Sequence, residues 1–170
     1  MSVQVRPVDL FDPEQAVFWL DLLDHYAQDP MGGGDGLSDY AKLKLVASIR
    51  EVPGYHGAIA WQDGDGDGDE AVGLINCFAG FSTFVAKPLL NIHDIVVRRE
   101  YRRQGIGQAL LAWAEQRARD LGCCKLTLEV LSNNHKAMAS YERAGFAPYV
   151  LDPAAGQALF LQKYLPESRE

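Results

Sequence analysis

The sequence predicts an α/β fold with a mixed central sheet and flanking helices, and three observations predict it. Segments of strand-like alternation are interleaved with segments of helical period rather than grouped into blocks. The helical segments carry start and stop signals at their ends. The chain has 170 residues, 48% of them apolar and 23% charged. A domain of that size buries roughly 68–70% of the surface its unfolded chain exposes, enough for one core. The predicted order is β-α-α-β-β-β-α-β-α-β-β, within one domain spanning residues 3–166.

Val3, Val5 and Val8 suggest a first strand closed by Asp9. Asp12-Pro13 then reads as an N-cap with proline at the first helical position. Ala16, Val17, Leu20, Leu23 and Tyr26 follow at helical spacing, and Asp29-Pro30 ends the run. Gly32 to Gly36 is a glycine-rich connection. Ser38 caps a second helix, 39–51, which Pro53-Gly54 stops. Tyr55–Gln62 and Ala71–Phe78 read as paired strands. Between them, Asp63 to Glu70 alternates aspartate and glycine, the mark of a solvated hairpin loop. Ala79–Pro88 is read as irregular, followed by a strand, Leu89–Val97. Gln108–Leu121 is an amphipathic helix with Gly122 just past its end. Lys125–Leu131 alternates as a strand, Asn134–Ala144 is helical, and Phe146–Leu151 and Ala158–Tyr164 complete the sheet.

The charge balance narrows the function classes. Sixteen basic against twenty-three acidic residues give a net charge of −7, which repels phosphate backbones and argues against nucleic-acid binding. No apolar run reaches the length of a membrane span. The N-terminal residues Met1 to Pro7 lack the pattern of a secretory signal. The three cysteines, Cys77, Cys123 and Cys124, read as reduced thiols of a cytoplasmic protein. No metal site is expected. Asp63-x-Asp65-x-Asp67-Gly68 imitates half of a calcium loop, but its twelfth position is Leu74, where a bidentate glutamate is needed.

The chemistry sits in Val97-Arg98-Arg99-Glu100-Tyr101-Arg102-Arg103-Gln104-Gly105-Ile106-Gly107-Gln108. It runs from an apolar strand through a basic glycine-rich turn into a helix. Glycines let a ligand approach the backbone, and helix-start amides offer N–H donors with the positive end of the dipole. The pattern is a pyrophosphate cradle. It lacks the Lys-Ser/Thr of a P-loop, which argues against ATP, and position 110 is Leu where a dinucleotide fingerprint needs glycine.

Arg102, Gly105 and Gly107 match Arg/Gln-x-x-Gly-x-Gly/Ala, and Asn134, Ala137, Tyr141 and Gly145-Phe146 match a second block about 30 residues on. In both, the chain resembles the GNAT acetyltransferase superfamily. The resemblance implies splayed parallel strands, 89–97 and 125–131, with acetyl-CoA wedged between them as co-substrate. Backbone groups of Ile95, Val96 and Val97 would hold the pantetheine arm and acyl carbonyl. Arg102 belongs to the motif, and amides of Arg103, Gln104, Gly105, Ile106, Gly107 and Gln108 would hold the pyrophosphate. Asn134 would bond pantetheine or support its loop. Tyr141, two helical turns after Asn134, would protonate the leaving thiolate.

The resemblance implies a primary amine as acceptor. Its ordinary pKa of about 10.4 means that it must lose a proton before it attacks. His93 and Asp94 are candidates, and in a regular strand they would point to opposite faces. His93 is favoured as the base, acting through water, with Asp94 orienting the ammonium. Leu89–Val97 is similar to the corresponding strand of spermidine/spermine acetyltransferases, which carry Glu-Asp where this chain has His93-Asp94. Glu129 is a further candidate base. Gly32–Gly36 is placed as a substrate-side lid, and Trp61, Phe78, Phe81 and Phe84 as candidate acceptor-pocket residues. No cysteine lies in the motifs, so direct attack is expected. The expected acceptor is a small molecule. A protein amine, a longer acyl group, a noncatalytic acyl-CoA sensor and a homodimer remain open alternatives.

Overall fold

A computed structural model describes residues 2–64 and 68–165 of the protein. Five strands form one sheet in the order β1-β2-β3-β4-β5. They are β1 (Val3–Pro7), β2 (Tyr55–Gln62), β3 (Glu70–Ser82), β4 (Lys87–Val97) and β5 (Leu126–Leu128). Neighbours β1 to β4 are antiparallel, and β5 joins β4 in parallel. Asp65 and Asp67 of the calcium-loop imitation lie outside the described residues, as does the predicted domain end at 166.

The helices divide between the two faces. Helix α1 (Pro13–Gln28) starts as its sequence dictates, with Asp12 accepting from the Glu14 and Gln15 amides and Pro13 in the first turn. With α2 (Asp39–Arg50) it covers one face, where Trp19, Leu22 and Ile49 pack on Ile59, Leu74 and Val96. Helix α3 (Ile106–Asp120) covers the other, with Leu110, Leu111 and Ala114 against Val72, Ile75 and Ile92. Tyr141 of α4 (His135–Arg143) and Phe146 after it pack on that second cluster.

Two features of β4 build the cleft. Its pairing with β5 covers only Leu90↔Leu126, Asn91↔Thr127 and Ile92↔Leu128. Beyond Ile92 the strands part, which is the expected splay. At the same point the β3–β4 register shifts: Cys77 pairs with Ile92 but Asn76 pairs with Asp94, leaving His93 as the extra residue of a β-bulge. A bulge bends its strand and re-aims its side chains.

Several boundaries differ from the sequence reading. Ala79–Pro88 is no irregular stretch, because β3 and β4 continue as a hairpin to Ser82↔Lys87. Helix α3 starts at Ile106, two residues early, and β5 ends at Leu128 rather than Leu131. The strands expected over Phe146–Leu151 and Ala158–Tyr164 do not form. Leu159, Phe160 and Leu161 are 80%, 77% and 82% exposed. Three consecutive apolar residues do not present the alternating face that a half-buried strand needs, and no described residue after β5 joins the sheet.

Candidate active site

A cavity of 610 Å³ opens where β4 leaves β5. It is lined by β4, the turn before α3, the first turn of α3, and α4. Of the residues the sequence singled out, it brings together Ile95, Val96, Val97, Arg102, Arg103, Gly105, Ile106, Gly107, Gln108, Asn134 and Tyr141. Gln104 is outside the lining, and its side-chain amide turns back to the Glu100 carbonyl at 3.4 Å. His93 and Asp94 lie outside it too, just before Ile95 on β4.

The floor of the cavity is an uncapped helix start. Gly105, at φ 84°, is the N-cap of α3 and supplies no side-chain cap. Arg103 is also left-handed, at φ 67°. Left-handed residues flanking a tight turn gather successive N–H groups into an anion-binding concavity. The first intrahelical bond runs from the Ala109 amide to the Gly105 carbonyl at 3.0 Å. The amides of Ile106, Gly107 and Gln108 precede it and find no protein acceptor among the described residues. A Cβ at Gly107 would meet only Val97, at 4.0 Å, so this position is open to a ligand. These donors fit a pyrophosphate.

The side chain of Arg102 is engaged elsewhere. Its Nε donates to the Val97 carbonyl at 3.1 Å, and Nη2 pairs with Asp29 at 3.1 Å. Gln108 ties α3 to α4 through Ser140, donating to its carbonyl and hydroxyl oxygens at 2.9 Å each. Asn134 caps α4, its Oδ1 accepting from the Ala137 amide at 3.2 Å. That leaves the Asn134 Nδ2 group to face the cavity.

Tyr141 lies across the cavity from β4, edge-on to Phe146 at 6.0 Å. Burial pushes its phenol up to about 12, and nearby Tyr26 adds to the rise. Tyr26, at the end of α1, also lines the cavity. Its phenol is raised by burial and by the charges of Asp94 and Asp29. Tyr26 thus stands within electrostatic reach of both Tyr141 and Asp94. The sequence reading took it for one more apolar position of α1. Lys136 and Arg143 also line the cavity unforeseen. Their spacing from Ser140 on α4 puts all three on one helical face, a signal that was legible.

The bulge overturns the expectation that His93 and Asp94 face opposite ways. The His93 ring lies 5.5 Å from Phe78, edge to face. Asp94 Oδ2 accepts from Asn76 Nδ2 at 3.0 Å. Asn76 and Phe78 are two apart on β3, so they share a face, and so do His93 and Asp94. His93 is exposed. Asp94 is half-buried, and desolvation raises its carboxyl, partly offset by the Asn76 bond and then by His93.

Other candidates fall differently. Glu129 is within 3.4 and 3.5 Å of Asn91 Nδ2. Phe81 and Phe84 are exposed on the β3–β4 hairpin, and Trp61 packs on Phe18 at 5.5 Å, so of the four aromatics only Phe78 adjoins His93. The Gly32–Gly36 segment is tied to α1, with the Gly34 amide on the Ala27 carbonyl at 2.9 Å and the Leu37 amide on Asp24 at 2.7 Å. Among the described residues no helix is long and apolar enough to cross a membrane, and no group of three or more His, Cys, Asp or Glu residues is placed to hold a metal ion.

Comparison with known proteins is consistent with this geometry. The family described as "Acetyltransferase (GNAT) family" matches residues 18–146. A thialysine N-epsilon-acetyltransferase of Bos taurus is 34% identical over 116 residues, covering 64% of this chain and 68% of that protein. A streptothricin acetyltransferase of Streptomyces lavendulae is 34% identical over 128 residues, covering 65% and 68%. The fold is similar to a crystal structure of a probable acetyltransferase, with a TM-score of 0.71, 22% identity and full coverage of both chains.

Proposed function

The chain belongs to the GNAT acetyltransferase family and is an acetyl-CoA-dependent N-acetyltransferase, and from that premise we propose that it acetylates a primary amine of a small molecule by direct attack, with Asp94 as the base. The observation that carries this reading is a half-buried carboxylate, raised by desolvation and held by Asn76, on β4 just before the cavity that Tyr141 lines. A plain aspartate, near 3.9, is too weak a base for an ammonium. Burial makes Asp94 a stronger one.

The amides of Ile106, Gly107 and Gln108, with the turn at Arg103 and Gly105, hold the pyrophosphate, and the backbone of Ile95–Val97, free of β5, holds the pantetheine arm and acyl carbonyl. Acetyl-CoA supplies the activated acyl group: its thioester carbon takes the new C–N bond and its C–S bond breaks. Asp94 takes the ammonium proton, which frees the nitrogen lone pair. Tyr141 keeps its own proton at every physiological pH, donates it to the departing sulfur, and regains one from the second proton that the nitrogen sheds as the amide forms. A second role falls to His93. It is exposed on the same face as Asp94, and its place there suits passage of the proton to solvent.

Small acceptors are supported by the relatives, whose names specify thialysine and streptothricin. The domain is taken as residues 3–166. A cytoplasmic location is supported by the free cysteines, and a homodimer by the exposed Leu159–Leu161. The test is thiol release from acetyl-CoA over a panel of diamines, amino acids with side-chain amines, and peptides. Release with small amines that Asp94→Asn removes is the expected result. Release with peptides alone moves the acceptor to protein. Binding of acetyl-CoA without release from any amine makes the protein a sensor.

A further inference from the structure

Behind Asp94 lies a buried polar cluster that the reaction as written does not use. Asn76 on β3 is 1% exposed and Trp19 on α1 is fully buried. Asn76 Oδ1 accepts from Trp19 Nε1 at 2.9 Å and from the Tyr55 hydroxyl at 2.9 Å. Trp19 Nε1 also reaches the Tyr55 oxygen at 3.0 Å. The amide nitrogen of Asn76 is the group that donates to Asp94.

These contacts fix the amide's orientation. If the amide flipped, its NH2 would face the Trp19 indole N–H, which can only donate, and its oxygen would face a carboxylate. Both sides of the flip are repulsive, so only one rotamer satisfies the cluster. Gly57 makes room for it, since a Cβ there would collide with the Tyr55 hydroxyl. Burying Trp19 and Asn76 with their polar groups, beside half-buried Tyr55 and Asp94, is tolerable only because their bonds are mutually satisfied.

The surroundings leave Asp94 dependent on that bond. The titratable groups within electrostatic reach are Tyr55 from β2, Cys77 from β3, Tyr26 from α1 and His93 from its own strand. Burial holds the two phenols and the thiol neutral. No lysine or arginine among the described residues acts on the carboxylate. Among the described residues the Asn76 amide is the one side-chain donor to the carboxylate, and it takes Oδ2.

We propose that Asn76 is a positioning residue of the acetyl transfer: locked by Trp19 and Tyr55, it holds Asp94 by one oxygen so that the other meets the amine. The inference rests on Asp94 being the base. It gives Asn76 two effects on Asp94, a fixed orientation and a stabilised ionised form. Loss of the donor moves the carboxyl further up, so the base stays protonated to higher pH.

The test is the pH profile of kcat/KM for a small amine acceptor. Asn76→Asp keeps the volume and the acceptor for Trp19 and Tyr55 but replaces the donor with a carboxyl. The acidic limb is expected to move up by about one pH unit or more, as for paired carboxylates that share a proton, with acetyl-CoA affinity unchanged. Asn76→Ser, which loses the reach to Asp94, is expected to move the limb in the same direction. A third measurement needs no variant: the Asn76 side-chain amide protons of the wild-type protein are expected to titrate with the midpoint of that limb. An unmoved limb in either folded variant, or amide protons that do not sense the midpoint, overturns the inference. Asp94→Asn separates the two readings. If it keeps the rate and the limb, Asp94 is not the base and both fall. If it abolishes the limb while the Asn76 variants keep it, only the positioning role falls.

Discussion

The guanidinium of Arg102 is bonded to Asp29 at 3.1 Å, and this ion pair fastens the turn before α3 to the end of α1. Asp29 is held below the usual carboxylate range first by the Met31 amide and also by Arg102. A lowered carboxyl contributes stability above its unfolded value that is lost as pH falls through the folded one. The bridge therefore loosens only under acid.

Because Arg102 serves the protein rather than the phosphate, its removal should be mild. Arg102→Ala is expected to raise the acetyl-CoA dissociation constant by about fivefold, in line with roughly 1 kcal/mol for a partly exposed pair. Isothermal titration measures it. A hundredfold loss would make Arg102 a direct phosphate ligand.

The cradle itself should be sensitive. Gly107→Ala is expected to fold normally, since its Cβ meets only Val97 at 4.0 Å. Gly107→Glu should fold as well but bring side-chain bulk and negative charge to the amides of α3. Acetyl-CoA at a hundred times its dissociation constant stabilises a native protein by about 2.7 kcal/mol. Thermal denaturation should show that gain in wild type and none in Gly107→Glu. A retained shift would move acetyl-CoA away from this turn.

Tyr141→Phe keeps the ring against Phe146 and removes the proton donor. Turnover is expected to fall by about a hundredfold, the low end of general acid effects, because a phenol near 12 is a weak acid. Acetyl-CoA affinity should hold. The same raised value means that Tyr141 causes no alkaline limb in the working range. Wild-type single-turnover rates in the variant would assign the proton to water.

Asp94 should trade stability for activity. Its folded carboxyl is raised by burial, so the native state binds more protons than the unfolded state between the two values. Stability then falls as pH climbs from the ordinary carboxylate range through the raised one. Asp94→Asn is expected to lose activity yet melt higher than wild type at neutral pH, with the gap closing toward pH 4. His93→Gln should lower kcat several-fold and leave the melting curve alone. A Gln variant that loses the acidic limb would restore His93 as the base.

The sequence carried the donor side because its signals are local. Gly105, Gly107, Asn134 and Tyr141 act through turns and helix starts, which neighbouring residues determine. The acceptor side was less legible because it is made at long range. Nothing in His93-Asp94 announces an extra residue in a ladder, since the bulge exists only in the register with Asn76 and Cys77. Tyr26 looks like any apolar helix position until the fold brings it into the cavity and within electrostatic reach of Tyr141. Asn76 sits in the run Leu74-Ile75-Asn76-Cys77-Phe78, where only its partners 57 and 18 residues away, Trp19 and Asp94, give it meaning. The C-terminal strands failed for the converse reason: local strand character was present, but among the described residues neither segment pairs with the sheet.

The bulge makes this enzyme vulnerable to a change in chain length. Deleting His93 would leave Ile92 opposite Cys77 and Asp94 opposite Asn76, a continuous ladder with its carboxylate still in place. The bend would go at the point where β4 parts from β5. The deletion should zip the sheet shut past Ile92 and close the cleft to its nucleotide, while an ordinary substitution at the same position leaves the cleft open. A one-codon deletion at position 93 would then silence the protein by a steric route, where a point change there only slows it by a chemical one.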